Sequence, residues 1–514
     1  MRRKNRLLCF VLAFSLLLGG CSAGTYTQSI IVGNSVLTQD GEDNLFEYNQ
    51  DGEFNYKTED ELAKENAINS PDVQRYAAKF TYNSLGENVM PIGAYIEPKV
   101  DDPRFKITME EALTDFALSG CNIMTCVNYF HTNTIIEEMM GYAEQLGFLM
   151  LLKHGGINSL PNKVSSQEEA TQTLYLDLNK YYKMKSFAGL HVADEPGYLD
   201  WQVNSQMPKA REYFENAMNS KLFFVNLLPI YSPSWAFPEG PDGHLHGKHD
   251  LDYMKYYQYY MDDVKPQVVC YDYYPCVGAF PSLLGEYFKQ MAIIKQFSDN
   301  ASYAGEAGVP FWTFIQVSDW GGGRDVTYSE IAWQANTSLA LGAKGLQYYT
   351  YNSSNGNDSN SMVTIEGYKN RSYYDGQKVN AQVLAVDEWL LNCTLQAVIQ
   401  SGVTPNGETM PSYFNPVKTY GRIASSAGVP HLIGCMNYYE TNVVDPFVTE
   451  VPYEVYYVVN NTITSDGNVT IQFTEAVSGE YIVNAERISF ENKNELTVNL
   501  GAGEGFALKL DRRA

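Results

Sequence analysis

The chain has 514 residues, 45% of them hydrophobic, which is enough to bury a large core and to form more than one domain. Its formal net charge of −24 at pH 7 disfavours nucleic acid and anionic lipid surfaces as partners. Eight cysteines over this length exclude a disulfide framework. The thiols within or beside apolar runs are expected to be buried: Cys121, Cys126, Cys270 and Cys276.

The amino terminus carries a charged segment, a short apolar run and a cysteine. Residues 2–6 include four basic side chains, residues 7–18 are mostly apolar, and two glycines precede Cys21. The apolar run is shorter than the roughly 20 residues that a membrane-spanning helix needs. The pattern resembles a bacterial lipoprotein signal, which implies removal of residues 1–20 and lipid attachment at Cys21. An uncleaved membrane anchor is the alternative, and both place the protein at the cell surface, outside the cytoplasm.

The stretch that follows has no regular alternation. Residues 22–58 are polar and acidic, with clusters of Asp, Gly and Glu that break any periodicity. This composition predicts a tether that holds the folded part away from the membrane. Residues 21–88 are therefore assigned to a tether and an N-terminal extension.

A regular alternation of apolar strands and helices fills residues 89–402. The predicted strands cover 90–96, 121–129, 148–153, 189–195, 222–228, 267–274, 310–316 and 345–351. The predicted helices cover 108–119, 134–146, 166–184, 209–218, 251–264, 284–297, 328–341 and 379–400. Eight such pairs predict an α/β fold, a closed (β/α)₈ TIM barrel. An open doubly wound sheet is the competitor, but the first strand lacks the phosphate-cradling glycine turn of that fold.

The helical alternation stops after residue 402. Short alternating segments separated by Asn, Asp and Gly turns follow at 453–460, 469–474, 480–485, 495–500 and 505–510. They predict a C-terminal antiparallel β-sandwich over residues 403–514. We expect this domain to be a structural or sugar-contacting accessory.

The fourth predicted strand ends in two carboxylates and a proline. Acids are tolerated where a strand of a parallel barrel emerges at its carboxyl end, and barrel active sites are built at that end. Asp194 and Glu195 are therefore predicted to lie at the active-site face. The alternative is a helix N-terminus that the acids cap, with Pro196 in the first turn.

The other strand ends are also rich in polar and aromatic residues. Tyrosine is abundant, with 39 residues, and its flat ring with one hydroxyl suits the apolar faces and hydroxyl edges of sugars. The strand ends and the loops after them supply the candidate substrate-binding residues: Tyr95, Asn128, Tyr129, His154, Asn226, Tyr231, Tyr271, Tyr273, Trp312, Gln316, Asp319, Trp320 and Tyr351.

A second carboxylate for acid–base chemistry has three candidates. Asp272 is preferred, because it lies in an apolar strand where an acid is costly unless it is functional or well paired. Glu97 precedes a proline and Asp319 lies in a polar loop. The alternative for Asp272 is a buried acid that braces neighbouring loops.

These motifs together resemble clan A glycoside hydrolases and related β-galactosidase-like barrels. The resemblance rests on Asp194-Glu195-Pro196, on the run from Tyr271 to Pro275, on residues 310–316 and on the closing β-rich domain. It implies that Glu195 is the general acid/base of a glycosidase acting on an oligo- or polysaccharide. The chain departs from the family in two places, because Asp194 replaces an Asn and Gln316 stands where the family has its nucleophilic Glu.

Two further hypotheses remain open. The adjacent Asp194 and Glu195 also resemble the pair of substrate-assisted N-acetylhexosaminidases, in which the Asp orients the acetamido group and the Glu protonates the leaving oxygen. Such an enzyme needs no second nucleophilic carboxylate. The rival from another class is a non-catalytic surface glycan-binding lipoprotein, which Gln316 would favour.

Two loop motifs give weaker signals. His244, His246 and His249 have a spacing that could bind a metal, but exposed loop histidines are usually only solvated, and we predict neither a metal nor a cofactor. The Gly-rich turn at 321–324 and the polar stretch at 352–377 are candidates for a lid over the cleft.

Overall fold

The computed structural model describes residues 29–32, 35–38, 84, 88–127, 133–154, 156–198, 206–218, 220–233, 236–237, 249–301, 303, 308–319, 324–353, 361–438 and 453–512. The chain divides into two compact units, residues 1–66 and 67–514. Among the described residues, no helix combines the length and apolar character required to span a bilayer. The predicted signal segment and Cys21 lie outside the described residues.

The described part of the first unit is a short hairpin. Strand β1 (Ser29–Val32) pairs antiparallel with β2 (Ser35–Thr38), with Val32 opposite Ser35. The hairpin lies within residues 22–58, the stretch predicted to be a tether, and shows that this stretch contains local strand pairing. Its apolar Ile30, Ile31, Val36 and Leu37 are β-branched or aliphatic residues that suit a strand.

The second unit contains a closed barrel of eight parallel strands, which confirms the (β/α)₈ prediction. Each strand pairs with its neighbours in chain order, and the last strand closes against the first. The strands are β3 (Ile92–Tyr95), β4 (Ile123–Thr125), β5 (Leu149–Lys153), β6 (Phe187–Asp194), β7 (Leu222–Leu227), β8 (Val269–Tyr271), β9 (Phe311–Gln316) and β10 (Gly345–Tyr349).

Eight helices follow these strands. They are α1 (Met109–Leu118), α2 (Asn133–Leu146), α3 (Gln167–Leu178), α4 (Met207–Ala217), α5 (His249–Tyr259), α6 (Tyr287–Asp299), α7 (Tyr328–Ala340) and α8 (Arg371–Leu391). Thr108 and Thr327 begin α1 and α7 with capping boxes, in which the threonine and a glutamate three residues later satisfy each other's free backbone N–H groups.

The last predicted helix is corrected at both ends. Helix α8 begins at Arg371, inside the stretch predicted as a lid, and ends at Leu391. Residues 393–401, predicted as its continuation, form strand β11 (Cys393–Ser401). Ala397 and Ile399 of β11 enter the core of the C-terminal sheet together, which is the two-residue period of a strand.

The barrel interior is filled by large apolar side chains from most of its strands. Leu151, Phe224, Cys270, Trp312 and Phe314 pack together there, each 1% exposed or less. Burying one such leucine or phenylalanine contributes roughly 1.5–3 kcal/mol to folding. The interior is therefore a packed core, and any ligand site must lie at its ends. All six cysteines in the described residues are buried and free, as predicted for the four in the barrel.

The C-terminal region is a single eight-stranded sheet, and a sandwich of two sheets is not confirmed. Its strands are β11, β12 (Pro416–Val417), β13 (Ile423–Gly428), β14 (His431–Tyr438), β15 (Tyr453–Asn460), β16 (Gly467–Val483), β17 (Glu486–Leu500) and β18 (Gly505–Leu510). All pairs are antiparallel except that of β11 with β12. The long strand β16 pairs with three others: its first part with β13, its last part with β18, and both parts with β17.

Helix α7 joins the barrel to this sheet. Every residue from Glu330 to Ala340 is buried, because one face of α7 packs on the barrel and the other on the sheet. Its polar side chains are satisfied across the junction. Trp333 donates to Asn461 at 2.7 Å, and Asn336 donates to the Gly503 carbonyl at 2.9 Å. The C-terminal sheet therefore completes the packing of a barrel helix.

Candidate active site

The carboxyl ends of β6, β7 and β8 bring three acidic residues together. Asp194 is the last residue of β6 and lies opposite Asn226 of β7, and Asp272 directly follows β8. Glu195 follows Asp194 and is exposed at the barrel mouth. This placement confirms that Asp194 and Glu195 lie at the carboxyl end of a barrel strand.

The backbone at Glu195 has an unusual conformation. Its φ is +45°, in the left-handed region that residues with a Cβ rarely adopt, and its N–H donates to the Asn226 carbonyl at 2.9 Å. The chain thus turns sharply as it leaves β6 while it stays bonded to β7. Such conformations cost about 1–3 kcal/mol and are maintained by surrounding structure at functional sites.

Side chains from β7 and from β3, across the barrel, hold the Asp194 carboxylate. The Asn226 side-chain amide donates to Asp194 Oδ1 at 3.0 Å, and the Tyr95 hydroxyl at the end of β3 also donates to Asp194. Burial and then the adjacent Asp194 charge raise the pKa of Tyr95, which keeps its hydroxyl a donor. The partners of Asp194 are thus side chains of other strands, and not the N–H groups of a capped helix.

Glu195 and Asp272 form a carboxyl pair joined by a hydrogen bond. Two carboxyl groups can bond to each other only if one of them is protonated. Asp272 is 2% exposed, and burial, followed by the charges of Glu195 and Asp194, raises its pKa well above the ordinary range. Burial therefore favours the protonated form of Asp272, in which its O–H donates to Glu195.

Glu195 differs from Asp272 in its access to solvent. Its side chain reaches water at the mouth, yet protein surrounds it on the barrel side, and this desolvation raises its pKa. The hydrogen bond from Asp272 acts in the opposite direction, and the charge of Asp194 adds to the increase. A carboxyl that is both reachable and easily protonated can deliver a proton to a bound molecule.

Tyrosines surround the carboxyl pair. Tyr274 donates a hydrogen bond to Asp272, its backbone N–H donates to the Tyr231 hydroxyl at 3.3 Å, and its ring lies 5.0 Å from that of Tyr349. The Tyr349 ring is in turn 6.1 Å from Tyr95. Tyr231 and Tyr349 are partly exposed, while Tyr95 and Tyr274 are buried, so the first two offer flat rings beside hydroxyl groups at the mouth, a surface that suits a sugar.

A lysine lies close to the acids. Lys153 ends β5 and is half-buried beside His191 of β6. Its charge interacts with Asp194 and with the fully buried Glu97 that follows β3. His191 is also fully buried, and its Nδ1 is 2.9 Å from the Cys126 carbonyl. Burial and the Lys153 charge lower the pKa of His191 to about 4, so this imidazole is neutral at physiological pH.

Several residues predicted to bind substrate are enclosed by the fold. Trp312 is in the barrel core, Tyr271 points to the helix layer near Tyr287, and Tyr351 packs on Phe116; all three predicted residues are 1% exposed or less. A side chain without accessible surface cannot contact a molecule at the mouth, so these three predictions are corrected. The sequence pattern predicted the strands, but it did not show which side chains point into the barrel, which point to the helices and which lie at the strand end.

Two other residues predicted to bind substrate instead support neighbouring loops and side chains. Gln316 is fully buried; its side chain accepts from the Cys276 N–H at 2.8 Å and donates to the Ser318 carbonyl at 3.1 Å. Tyr273 is 2% exposed, and its ring packs edge-on against Tyr231, 5.1 Å away. Gln316 therefore ties the loops after β8 and β9 together, and Tyr273 supports Tyr231 from behind.

The remaining candidates are more distant or lie outside the described residues. His154 is half-buried near Asp177 of α3, and Asp319 is half-buried in the loop after β9. Outside the described residues, or with undescribed side chains, are Asn128, Tyr129, Trp320, the loop histidines and residues 321–323 of the Gly-rich turn, whereas Arg324 is described and pairs with Glu330. Within the part that the structure does describe, no cluster of metal-ligating side chains occurs.

Sequence reasoning did not select three residues that the structure places at the site. Tyr274 and Tyr349 belong to tyrosine-rich runs in which no single member stands out, and Lys153 ends an apolar strand directly before His154, which was selected instead. The two-residue period would have helped, because Cys270, Asp272 and Tyr274 alternate along one face. Cys270 and Tyr274 indeed belong to the same core cluster of the barrel.

Comparison with known proteins gives structural similarity alone. No protein-family model and no curated protein sequence matches the chain. Similar solved structures include a glycoside hydrolase family 5 protein from Bacteroides vulgatus, with 10% identity, 83% of this chain and 90% of that one covered, and a TM-score of 0.45. A second is a glycoside hydrolase with 8% identity, 83% of this chain and 93% of that one covered, and a TM-score of 0.46. A third is a glucosidase from Croceicoccus marinus with 7% identity, 84% of this chain and 97% of that one covered, and a TM-score of 0.39. The strand pairing itself establishes the barrel.

Proposed function

We propose that the barrel mouth is the active site of an O-glycoside hydrolase with Glu195 as general acid/base. The observation that supports this most directly is the hydrogen-bonded carboxyl pair of Glu195 and Asp272 beside Asp194, at a mouth where Tyr231 and Tyr349 are partly exposed. Protonated Glu195 gives its proton to the glycosidic oxygen as the bond to the anomeric carbon breaks. The positive charge that develops on the sugar is stabilised by a neighbouring carboxylate.

The second group of the reaction distinguishes two versions of this proposal. A retaining enzyme needs a nucleophilic carboxylate about 5–5.5 Å from the acid. Asp272 is hydrogen-bonded directly to Glu195, which is closer than that separation, and it is almost fully buried, so it lacks the access to the anomeric carbon that a nucleophile needs. Gln316 supplies no acid on β9, and its side chain is occupied by bracing contacts.

The second version is a substrate-assisted N-acetylhexosaminidase. Asp194 is exposed, and Asn226 and Tyr95 hold it in one orientation next to Glu195. In this version Asp194 accepts the N–H of the substrate's acetamido group, whose oxygen attacks the anomeric carbon. Asp272 then acts only as the partner that shares a proton with Glu195. The burial of Asp272 and the exposure of Asp194 favour this version.

The charge of the mouth also limits the substrate. Among the described residues of the mouth, the acids Asp194, Glu195 and Asp272 outnumber the cation Lys153, which also interacts with Glu97, so we expect the site to repel a carboxylate or sulfate on the sugar ring. We therefore propose an uncharged external oligo- or polysaccharide as the substrate. We also propose, from the amino-terminal pattern, that lipid at Cys21 anchors the protein outside the cytoplasm.

A panel of aryl glycosides tests the function. We expect hydrolysis of at least one neutral glycoside, with N-acetylhexosaminides preferred over the parent hexosides, and no hydrolysis of uronides. A thiazoline analogue of the N-acetylhexosamine, in which sulfur replaces oxygen in the ring formed by attack of the acetamido group on the anomeric carbon, should inhibit the enzyme competitively. If neutral glycosides bind but none is hydrolysed by the full chain, the non-catalytic glycan-binding alternative replaces the proposal.

A further inference from the structure

Helix α5 places a tyrosine behind the turn that carries Glu195. The Tyr256 hydroxyl donates to the Pro196 carbonyl at 2.9 Å and accepts a hydrogen bond from the Leu228 N–H at 3.3 Å. Pro196 is the residue after Glu195, and Leu228 is the residue after the last one of β7. One hydroxyl group therefore connects the turn beyond β6 to the end of β7.

The surroundings of Tyr256 hold this bridge in place. The side chain is 0% exposed, and its ring packs edge-on against the rings of Phe237 and Tyr257, each with its centroid 5.4 Å away. Burial raises the pKa of Tyr256 well above its ordinary range, so the hydroxyl keeps its proton and remains a donor. A hydroxyl can donate and accept through one atom. Phenylalanine would keep the ring and leave both backbone groups unpaired.

The turn at Glu195 needs support from both sides. Its φ of +45° is unfavourable for a residue with a Cβ, and the bond from the Glu195 N–H to the Asn226 carbonyl at 2.9 Å holds only the start of the turn. The bond from Tyr256 holds the peptide group beyond it, and the ring of Pro196 restricts the backbone between the two. Together they fix the direction in which the Glu195 side chain leaves the backbone.

We propose that Tyr256 is a positioning residue that holds the Glu195 turn, so that the Glu195 carboxyl reaches the leaving oxygen. The inference rests on the proposed function and deepens it, because it assigns a role to a buried helix residue that cannot touch the substrate. Tyr253, one turn earlier on α5, supplies the matched comparison. It is also 0% exposed, and its hydroxyl donates to the Leu228 carbonyl at 3.2 Å, so it supports the β7 side of the bridge.

The test compares Y256F with Y253F in the full chain. Each variant removes one buried hydroxyl from the same helix, but only Y256F releases the Pro196 carbonyl. The first readout is kcat on neutral glycosides with poor alkyl leaving groups and with activated dinitrophenyl leaving groups. The second readout is hydrogen exchange of the Glu195 N–H, measured by mass spectrometry of peptic peptides with electron-transfer fragmentation.

The kinetic effect should depend on the leaving group. Y256F should lower kcat on poor leaving groups by about 10- to 100-fold, because a small displacement of a positioned catalytic group costs rate of that order. Activated leaving groups need no proton, so their kcat should fall less than about threefold. Y253F should lower both by a similar small factor. In the E195Q background, Y256F should add no further loss on poor leaving groups, because the two changes remove the same function.

Hydrogen exchange tests the turn without any substrate. The Glu195 N–H should exchange about fivefold faster in Y256F, the factor that corresponds to a typical net hydrogen-bond contribution, and at the wild-type rate in Y253F. If Y256F does not fold, the wild type decides. Because the Tyr256 hydroxyl joins the two segments, the Glu195 and Leu228 amides should open together, with protection factors within about tenfold of each other. Protection factors further apart would overturn the inference.

The outcomes separate this inference from the proposed function. Equal losses on both kinds of substrate in Y256F, or an unchanged exchange rate of the Glu195 N–H, overturn the role of Tyr256. An acceleration of the same size in Y253F does so too. If the wild type hydrolyses no glycoside, the proposed function fails, and the exchange rates still decide whether Tyr256 holds the Glu195 turn.

Discussion

Asp194 and Asp272 carry the same carboxyl group within one site, but their surroundings give them different chemistry. Asp194 is exposed and accepts hydrogen bonds from Asn226 and Tyr95. Asp272 is enclosed, and burial with two nearby charges raises its pKa. Glu195 bonds to one of them and follows the other in the chain. Environments that separate the pKa values of neighbouring acids are what acid–base catalysis requires.

The first prediction concerns D272N. In the proposed mechanism, Asp272 passes its proton across the hydrogen bond to Glu195, so Glu195 can act as an acid up to the pH at which Asp272 ionises. Asn keeps the shape of the side chain and an N–H donor, but it has no proton to pass to Glu195. The basic limb of kcat/KM should therefore move to lower pH by about one unit or more. At the acidic plateau, turnover should stay within about tenfold of the wild type.

The measurement is a pH–rate profile of D272N and wild type on the same aryl glycoside. N226D, which changes charge beside Asp194 instead, provides the comparison for an effect on the other acid. An unchanged basic limb would remove the proton-sharing role. Loss of turnover at every pH would instead identify Asp272 as nucleophile or base.

At the scale of elements, strand β6 is aligned by a glycine. Gly189 lies opposite Leu222 of β7 with φ at +143°, and a Cβ on it would come within 2.1 Å of the Leu222 carbonyl oxygen. This close approach begins the β6–β7 pairing that ends with Asp194 beside Asn226. The alignment of the acid therefore depends on a backbone contact at the other end of the strand.

G189A should separate β6 from β7. We expect it to lower the free energy of unfolding by about 2–4 kcal/mol, since overpacking and a strained φ both contribute. Urea denaturation measures the change. G141A is the control: Gly141 lies in α2 with nothing within 4 Å of its Cβ position, and alanine there should stabilise by about 0.5–1 kcal/mol. Equal stabilities of the two variants would contradict the account.

The elements also show what the sequence can predict. The eight apolar runs and the Gly-ended helices predicted the barrel, because each strand or helix leaves a local periodicity. The direction of a side chain at a strand end is less predictable, because bulges in β6 at His191 and Ala193 shift which residues face inward. Residues 393–401 show a further limit, since Leu395, Val398 and Ile399 fit a helical spacing as well as the strand they form.

Pairings between distant strands could not be predicted at all. The Glu195 and Asp272 bond joins two loops separated by 77 positions in the chain, and nothing local to either acid indicates it. The sequence predicted each acid separately because an acid next to an apolar strand is unusual. Only the closed barrel shows that the two acids lie together and form a hydrogen bond.

At the scale of the whole molecule, the net charge and the amino-terminal sequence bear on how the protein attaches to a membrane. A net charge of −24 disfavours binding to anionic lipid through the protein surface, so attachment to a membrane would depend on the proposed lipid at Cys21. Cells fed a clickable fatty acid should label the wild-type protein. Label retained by C21S would exclude this attachment, and C121S, which changes a buried barrel thiol, provides the control.

The central claim is that Glu195 donates a proton to the leaving oxygen, and the leaving-group dependence of E195Q tests it most directly. Poor leaving groups need the proton, so kcat on alkyl or sugar aglycones should fall by roughly 10²–10⁴-fold in E195Q. Activated aryl glycosides such as dinitrophenyl derivatives leave without help, and their rates should fall less than about tenfold. An equal loss on both kinds of substrate would contradict the account, because Glu195 would then not be the proton donor.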